Sequence, residues 1–366
     1  MIKNETESRA ELHAEVSHTE SQAGLHTESQ AESQAIMLFN RLRKRQKHLR
    51  KWAARTGAGV YRLYDRDIPE IPLVLDFYHN EKTAAVSGAL YKRPYEKNAD
   101  DETRWLCVMK TAVAKALSIK EENIFLKIRK RQRVGKSNEQ YTKEDGGAFT
   151  MLVKENGVSF SVNLSSYIDS GIFPDLRKLR KMLMSEAPGK TVLNLFCYTG
   201  AFSVYAAKGG ARRIDSVDMS STYLKWTARN FQLNGAEIPP SCAHTEIQSD
   251  VFRFIEQAAA SNKQWDIIVV DPPAFSNSKR MKGNSLNGVF DIKHDYQFLI
   301  TSCLPLLKKG GSLFFCVNAR SFNLQTSDLC NSIKERGGFS LRRITEQIRD
   351  EDFKGRRMPE CYIITE

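Results

Sequence analysis

Several features that define other classes of protein are missing from this sequence. It has seven cysteines, an odd number, and no two of them form a Cys-x-x-Cys pair. This argues against a disulfide framework or a zinc site and fits a reducing cytosol. No apolar stretch approaches the roughly 18 residues that span a bilayer, and the N-terminus lacks the apolar core of a signal peptide. We therefore expect a cytoplasmic protein without metal or membrane association, of undetermined oligomeric state.

Acidic residues are also missing from residues 36–59, which carry eight lysines and arginines. Phe39, Leu42, Leu49 and Trp52 recur there at helical spacing, which predicts a basic amphipathic helix with one buried face. A helix whose charges all have one sign repels itself. Together with the net charge of +12, it favours a polyanionic partner, RNA or DNA before a membrane. The candidate RNA-binding residues of this helix are Arg43, Lys44, Lys47 and Lys51.

The other N-terminal segments differ sharply in composition. Residues 1–35 are polar and repeat the letters HTESQA. Such a segment cannot bury enough apolar area to offset chain entropy, so we expect a disordered tail. Residues 60–165 predict a small α+β domain of short strands and one helix that buries Trp105 and Met109. A loop with many cations around Tyr141 suits RNA contacts, so we interpret this domain as RNA-binding.

Residues 166–366 alternate between strand and helix patterns. Apolar strands lead into polar or acidic residues, and helix-length segments separate them. Because parallel strands place their carboxyl ends at one edge, this pattern predicts a Rossmann-like, mostly parallel α/β sheet with a ligand site at that edge. Two late strands predict a closing antiparallel hairpin. The residues that mark the edge are Gly200, Asp218, Asp250 and Asp271.

The first strand-to-helix turn, NLFCYTGAF, lacks the G-x-G-x-x-G pattern by which a dinucleotide fold approaches a pyrophosphate. Asp218, at the end of the next strand, can still accept hydrogen bonds from ribose hydroxyls. Asp250, at the end of the third strand, can accept one from an adenine amino group. A nucleoside without a pyrophosphate points to S-adenosylmethionine rather than NAD. The alternative is an α/β scaffold that binds no cofactor.

Several longer segments of the sequence together match the pattern of one known family. They are FNRLRKRQKHLRKWA, YRLYDRDIPE, DSGIFPDLR, NLFCYTGAFSVYAAKGGAR, VDMSSTYLKWTARNFQLNG, DPPAFSNSKRM and the C-terminal CYIIT. With these segments, the chain from Phe39 onwards resembles the C-terminal half of the bifunctional large-subunit rRNA methyltransferase K/L. That half is a class I S-adenosylmethionine-dependent methyltransferase that modifies guanine N7 in 23S rRNA. DPPAFSNSKRM after such a cofactor turn is the specific part of the match.

The resemblance implies a cofactor site, a catalytic loop and an RNA-binding run. The implied cofactor-binding residues are Gly171, Phe173, Asp175, Asn194, Tyr198, Thr199, Gly200, Asp218, Met219, Asp250, Val251 and Asp271. The implied catalytic residues are Asp271, Pro272, Pro273 and Phe275. Asp271 and the Pro272 carbonyl would position the base, and Phe275 would stack on it. The residues expected to hold phosphate or ribose are Ser276, Asn277, Ser278, Lys279 and Arg280.

The chain departs from the family in two ways. The companion guanine-N2 methyltransferase half and the THUMP RNA-binding module have no counterpart, so RNA docking is expected on residues 36–165. Where the family has Leu-Asp-His-Arg, this chain has Pro174-Asp-Leu-Arg177. The family assignment does not depend on this difference.

The position that is methylated can be argued from chemistry. Guanine N7 carries a lone pair and no proton, so its methylation needs alignment but no general base. Amino methyltransferases place an aromatic residue directly after the second proline, where this chain has Ala274, which favours N7 over guanine N2. C5-pyrimidine methylation would need a cysteine nucleophile, and Cys316 is the candidate, although a buried Cys316 is expected. The non-enzymatic alternative is an RNA-binding ribosome assembly factor with a vestigial methyltransferase fold.

Overall fold

The structure is a computed structural model. It describes residues 3–91, 98–128, 148–167, 169–276, 290–319, 322, 324, 333 and 338–366, with the backbone alone for residues 3–28. The described helices are α1 (Lys3–Thr56), α2 (Ala99–Leu117), α3 (Arg177–Glu186), α4 (Ala201–Lys208), α5 (Ser221–Leu233), α6 (Val251–Ala260) and α7 (Ile292–Cys303). The described strands are β1 (Val60–Asp65), β2 (Leu73–His79), β3 (Ala84–Leu90), β4 (Ile124–Ile128), β5 (Thr150–Glu155), β6 (Val158–Asn163), β7 (Thr191–Leu195), β8 (Arg213–Asp218), β9 (Ala243–Gln248), β10 (Trp265–Val270), β11 (Phe275–Ser276), β12 (Phe290–Asp291), β13 (Leu307–Val317), β14 (Ser340–Arg343) and β15 (Glu360–Thr365).

The chain forms two compact units. The first contains Met1–Lys51, Leu63–Asp76 and Ala84–Lys130, and the second contains Trp52–Arg62, Phe77–Thr83 and Arg131–Glu366. This division differs from the boundary that the sequence predicts between residues 165 and 166, because the β5–β6 hairpin belongs to the second unit. The reason is visible in β6, whose backbone is held by α5. The Ser159 N–H donates to Asn234 Oδ1, and the Ser161 N–H donates to Asn230 Oδ1.

In the first unit, helix α1 begins far before the predicted helix at residues 36–59. It starts at Lys3, so residues 3–35 are helical where the sequence predicts a disordered tail. The segment is rich in alanine, glutamate and glutamine, which are strong helix formers. Ala31 and Gln34 are already buried, and Trp105 Nε1 of α2 donates to Gln34 Oε1 at 2.6 Å.

Strands β1 to β4 form a sheet in the order β1-β2-β3-β4, of which β3 and β4 are parallel. The predicted short strands of this region are therefore present, and the predicted helix that buries Trp105 and Met109 is α2. Within the described part of the chain, no helix combines the length and the apolar character needed to cross a bilayer.

The second unit contains the sheet that the alternating pattern predicts. Its seven strands run in the order β14-β15-β13-β10-β7-β8-β9. Strands β13, β10, β7, β8 and β9 are mutually parallel, and β15 is antiparallel to both of its neighbours. The mostly parallel, seven-stranded Rossmann-like fold is thus confirmed, and so is the closing antiparallel hairpin of the last two strands.

Alternation along the central strands explains how the sheet is covered on both faces. Leu193 and Val270 belong to one buried apolar cluster, whereas Val192 and Val269 belong to the other. Consecutive side chains of a strand point to opposite faces, so continuous apolar runs fill both cores. The polar residue after each run then marks the carboxyl edge of the sheet.

Four buried charged side chains and the half-buried Asp350, which together we call the charge cluster, connect distant parts of the second unit. Arg180 donates from Nε and Nη2 to the Glu155 carboxylate at 2.8 and 2.9 Å. Arg177 donates from Nη1 to Asp350 at 3.0 Å and to Asp352 at 3.2 Å. Both arginines are 2% exposed, and Glu155 and Asp352 are fully buried. The cluster joins the β5–β6 hairpin, α3 and the segment before β15.

The charge cluster supplies a stability test. In Glu155→Gln the side chain keeps its shape but loses its charge, which leaves two buried guanidinium groups without this counter-ion. We expect the free energy of unfolding to fall by about 3–5 kcal/mol. The matched control is Glu256→Gln on the exposed side of α6, which should change it by less than about 0.5 kcal/mol. Urea unfolding measures both, and equal stability of the two variants would contradict this assignment.

Candidate cofactor site and catalytic loop

The turn between β7 and α4 forms one wall of the site and has an unusual backbone. Tyr198 and Gly200 have φ values of 51° and 74°, in the region where glycine is favoured. A Cβ on Gly200 would lie 2.4 Å from Thr227 Cγ2, so a larger residue does not fit. Helix α5 holds the turn: Thr227 Oγ1 donates to the Tyr198 carbonyl at 3.1 Å, and Asn230 Nδ2 donates to the Thr199 carbonyl at 2.9 Å.

Asp218, at the end of β8, fixes two neighbouring loops. Its carboxylate accepts the Tyr198 N–H at 3.0 Å and the Ser220 N–H at 2.8 Å. Burial raises the pKa of Asp218, and these backbone hydrogen bonds oppose the rise. Each carboxylate oxygen has a second lone pair, so Asp218 can also accept hydrogen bonds from two vicinal hydroxyls, as a ribose would require.

Asp250, at the end of the β9 segment, has an oxygen that lacks a partner. Its Oδ1 caps α6 by accepting the Arg253 N–H at 3.0 Å. Its Oδ2 is buried and accepts no hydrogen bond from the described residues. A buried acceptor without a donor is unfavourable, and an adenine amino group would satisfy it. Met219 and Phe252 line the groove that opens beside Asp250, so the surroundings suit an aromatic base.

A loop before α3 forms the opposite wall. Thr199 Oγ1 donates to the Gly171 carbonyl at 2.6 Å, which ties this loop to the turn after β7. Gly171 has a φ of 108°, and a Cβ there would lie 2.4 Å from the Trp226 ring. The Phe173 ring lies 5.5 Å from the Tyr198 ring and is 39% exposed. Pro174, where the chain departs from the family, fits the local backbone because it is the first residue of a short 3-10 helix.

The predicted catalytic loop begins directly after β10 with Asp271. Burial, followed by the nearby Asp175 carboxylate, raises the pKa of Asp271 to about 7, while Arg180 opposes the rise. Pro272 is buried, and Pro273 and Ala274 are exposed.

A short strand pair holds the end of this loop. Phe275 pairs with Asp291 across the two short strands β11 and β12, and the Ile292 N–H donates to the Ala274 carbonyl at 3.1 Å. The loop is therefore fixed at both ends, with Ala274 facing solvent and Phe275 half-buried one position later.

Two predicted cofactor residues have side chains engaged elsewhere. Asn194 is 1% exposed, and its Nδ2 donates to Ser203 Oγ of α4 at 2.9 Å. Its side chain therefore braces the first strand-to-helix unit. Val251 belongs to the apolar core, so any contact it makes with a cofactor would come from its backbone at the start of α6.

The predicted RNA-binding residues divide into three groups. In the first unit, Arg43, Lys44, Lys47 and Lys51 are all exposed on α1, as expected for binding. In the second unit, Ser276 pairs with Phe290. The remaining candidates lie outside the described residues: Asn277, Ser278, Lys279, Arg280 and the cationic loop around Tyr141.

Sequence patterns did not predict the residues that hold the walls of the predicted site in place. Thr227 and Asn230 on α5 hold the turn after β7 through its carbonyls, and Trp226 on the same helix donates to the Ser161 carbonyl of β6. Arg180 donates to the Phe173 carbonyl of the opposite wall at 2.9 Å. Among the described residues, no group of three or more histidine, cysteine or acidic side chains could hold a metal ion.

Comparison with known proteins agrees with this geometry. The sequence model of a family described as S-adenosylmethionine-dependent methyltransferase matches residues 78–341. Ribosomal RNA large subunit methyltransferase K of Neisseria meningitidis serogroup B is 39% identical over 325 residues, which cover 89% of this chain and 86% of that protein. The chain belongs to this methyltransferase family. S-adenosylmethionine is therefore the cofactor.

Other members of the family are larger. Ribosomal RNA large subunit methyltransferase K/L of Stutzerimonas stutzeri is 40% identical over 326 residues, which cover 89% of this chain but 41% of that protein. The fold is also that of a crystallised methyltransferase in complex with SAH, with a TM-score of 0.67 and 24% identity, covering 92% of this chain and 82% of that one.

The role of Asp218 can be tested through cofactor affinity. Asp218→Ala removes charged hydrogen bonds worth roughly 1.5–3 kcal/mol, so we expect S-adenosylmethionine to bind about ten- to hundredfold more weakly. Asp218→Asn retains one acceptor oxygen for the turn and should lose less. Glu246→Ala, on the exposed part of β9, is the control. Calorimetry on folded variants measures the affinities, and unchanged binding to Asp218→Ala would remove this residue from the site.

The ionisation of Asp271 predicts a pH-dependent stability. Its folded-state pKa of about 7 lies above the ordinary value, so the charge destabilises the fold increasingly as pH rises from about 4 to about 7. Asp271→Asn should therefore raise the Tm of the cofactor-free protein, and the gain should grow over that range and then level off.

Asp266 is the control residue, because its pKa is shifted in the opposite direction to that of Asp271. Hydrogen bonds from Thr191 and Lys308 outweigh its desolvation and lower the pKa of Asp266 to about 2, so its charge stabilises the fold above the ordinary pKa. Asp266→Asn should lower the Tm at neutral pH, and the loss should shrink as pH falls towards 2. A Tm gain for Asp271→Asn that is the same at every pH would contradict the assignment.

Proposed function

We propose that this protein transfers a methyl group from S-adenosylmethionine to guanine N7 in 23S rRNA or its large-subunit precursor. The Neisseria meningitidis relative, which this chain covers to 86% of its length, is a large-subunit ribosomal RNA methyltransferase, and this supports RNA as the substrate. The observation that carries the choice of N7 is the order of residues in the catalytic loop. Ala274 is exposed directly after Pro273, and the first aromatic ring, that of Phe275, follows one position later in β11. This proposal places the activity in the cytoplasm.

The chain's own residues would perform the reaction by alignment and electrostatics. Bound S-adenosylmethionine supplies an electrophilic methyl group on a sulfonium centre. Asp218 and Asp250 hold the nucleoside end, and the turn at Tyr198 and Gly200 holds the methionine end. The guanine N7 lone pair needs no base, and its methylation places positive charge on the ring. The ionised Asp271 carboxylate opposes that charge and orients the base edge.

The basic helix of the first unit would supply affinity without sequence selectivity. The four candidate cations on α1 are exposed, whereas Leu42 and Leu49 on the same helix are fully buried. Exposed cations that bind phosphate release counter-ions, which produces salt-dependent affinity. The first unit is accordingly the proposed RNA-binding domain.

Guanine N2 is the second candidate, and one observation favours it. A carboxyl with a pKa near 7, as found for Asp271, is suited to accept the proton that an amine loses on methylation. Such a reaction would use Asp271 as a general base, whereas N7 methylation would use it as a counter-charge.

A modified substrate separates the two positions. Replacing N7 by carbon removes its lone pair and leaves the exocyclic amine unchanged, so RNA with 7-deazaguanosine at the target should bind but accept no methyl group. Methyl transfer is measured with isotopically labelled S-adenosylmethionine, and RNA with unmodified guanosine is the control. Incorporation into the deaza RNA at a rate near normal would overturn N7 and support N2.

Cys316 tests the C5-pyrimidine alternative. Burial, with Cys361 as the next cause, raises the pKa of the Cys316 thiol well above its ordinary value, and the side chain is fully buried. An effective nucleophile would need the thiolate and access to the base. Cys316→Ala should therefore retain methylation, and Cys303→Ala is the control for a buried thiol. Loss of activity in a folded Cys316→Ala variant alone would revive the C5 mechanism.

The assembly-factor alternative makes a different prediction for the wild-type protein. An RNA-binding factor with a vestigial site would bind S-adenosylmethionine poorly and leave the methylation of rRNA unchanged when it is deleted. Mapping methylated nucleotides in rRNA from cells with and without this protein distinguishes it from an enzyme.

A further inference from the structure

A short basic turn precedes the last strand. Residues 354–357, which we call the basic turn, read Lys-Gly-Arg-Arg and lie between two buried anchors, Phe353 and Met358. Lys354 and Arg357 are exposed. Gly355 has a φ of 70° with open space around the position of a Cβ. The chain thus turns outward here and displays cations between two apolar contacts.

The basic turn lies at the carboxyl edge of the sheet, two strands away from the strand that leads into the predicted catalytic loop. Strand β15 starts at Glu360, opposite Val317 at the end of β13. A guanidinium N–H of Arg357 donates to the carbonyl of Ala319, two residues beyond that end. Strand β13 is the neighbour of β10, which ends immediately before Asp271.

Two acidic residues of the same segment, Asp350 and Asp352, accept hydrogen bonds from donors in the interior of the second unit. Asp352 accepts hydrogen bonds from the Arg177 guanidinium and from the Arg62 N–H at 3.0 Å, and Asp350 accepts from Arg177. Arg349 donates to the Phe353 carbonyl at 2.9 Å and to the Arg356 carbonyl. The charge cluster therefore fixes the backbone of the segment and pairs the carboxylates of Asp350 and Asp352, while Lys354 and Arg357 are exposed.

We propose that the basic turn binds a phosphate of the RNA backbone next to the target nucleotide, with Lys354 and Arg357 as the contacts. The inference rests on the proposed RNA substrate. An enzyme that modifies a base in structured RNA must take that base out of its stack, so the adjoining backbone lies at the rim of the site. A rigid turn with cations at that rim binds phosphate with little loss of chain entropy.

The test compares two double variants at opposite edges of the sheet. Lys354→Ala with Arg357→Ala removes the proposed contacts. Arg212→Ala with Lys309→Ala removes two exposed cations near the amino ends of β8 and β13. Each protein is titrated with protein-free 23S rRNA at several KCl concentrations, and calorimetry with S-adenosylmethionine checks that the site is intact.

The quantity compared between the proteins is the slope of log affinity against log salt concentration. We expect the basic-turn variant to lose about 1.4–1.8 from the magnitude of the slope, about 0.7–0.9 for each phosphate contact. The control should keep the wild-type slope, and both should keep wild-type S-adenosylmethionine affinity. Lys354→Glu alone, which disturbs no hydrogen bond of the described chain, should reduce RNA affinity further than Lys354→Ala. A wild-type slope in the basic-turn variant would overturn the proposal.

A parallel titration with mixed tRNA separates this proposal from the proposed function. Suppose that the wild type does not methylate 23S rRNA, but that the basic-turn variant still has a smaller slope of log affinity against log salt on tRNA. The proposed phosphate contacts are then supported, and the proposed 23S rRNA substrate is wrong. If the wild type methylates 23S rRNA and the variant has wild-type slopes on both RNAs, the function stands and the basic turn has no role in binding. Equal loss of slope in the two double variants would also overturn the proposal, because it would show general surface charge.

Discussion

The second unit depends on one buried ionic contact, that between Arg180 and Glu155. Two charges removed from water are stable only when their hydrogen bonds are satisfied, and here the guanidinium donates to both carboxylate oxygens. The same guanidinium donates to the Phe173 carbonyl in the cofactor loop and lowers the pKa of Asp271. The contact therefore does more than join α3 to the β5–β6 hairpin. It also holds one wall of the predicted site and opposes the rise of the Asp271 pKa.

The other wall depends on hydrogen bonds to backbone rather than on ion pairs. Asp218 fixes two loops through their N–H groups, and Thr227 closes the turn around Gly200. These residues hold the loops before a cofactor arrives, so binding requires little further ordering of the chain. The Oδ2 of Asp250, which has no partner among the described residues, is the exception, and in the proposed site the cofactor would supply its donor.

The sequence predicted the parts of this arrangement that depend on local pattern. Apolar runs that end in Asp218 and Asp271 predicted parallel strands and their shared edge, because both signals lie within a few residues. It did not reveal the charge cluster, since the partners of Arg177 lie 173 and 175 residues away and no periodicity connects them. Residues 3–35, where a polar repeat predicts disorder, are part of helix α1, and their alanine and glutamate residues are helix formers. The β5–β6 hairpin falls in the second unit, where Asn230 and Asn234 accept hydrogen bonds from backbone N–H groups of β6.

Asp175 and Asp271 place two carboxylates near each other at the predicted site, although the protein as a whole is basic. Their proximity contributes to the raised pKa of Asp271, which is a strain that a nearby cation relieves. S-adenosylmethionine carries a positive sulfonium, and the demethylated product does not. In the proposed site, this strain would favour the methyl donor over the product that remains after transfer. Arg180 opposes the rise of the Asp271 pKa, so the buried ion pair that joins α3 to the β5–β6 hairpin would also influence that preference.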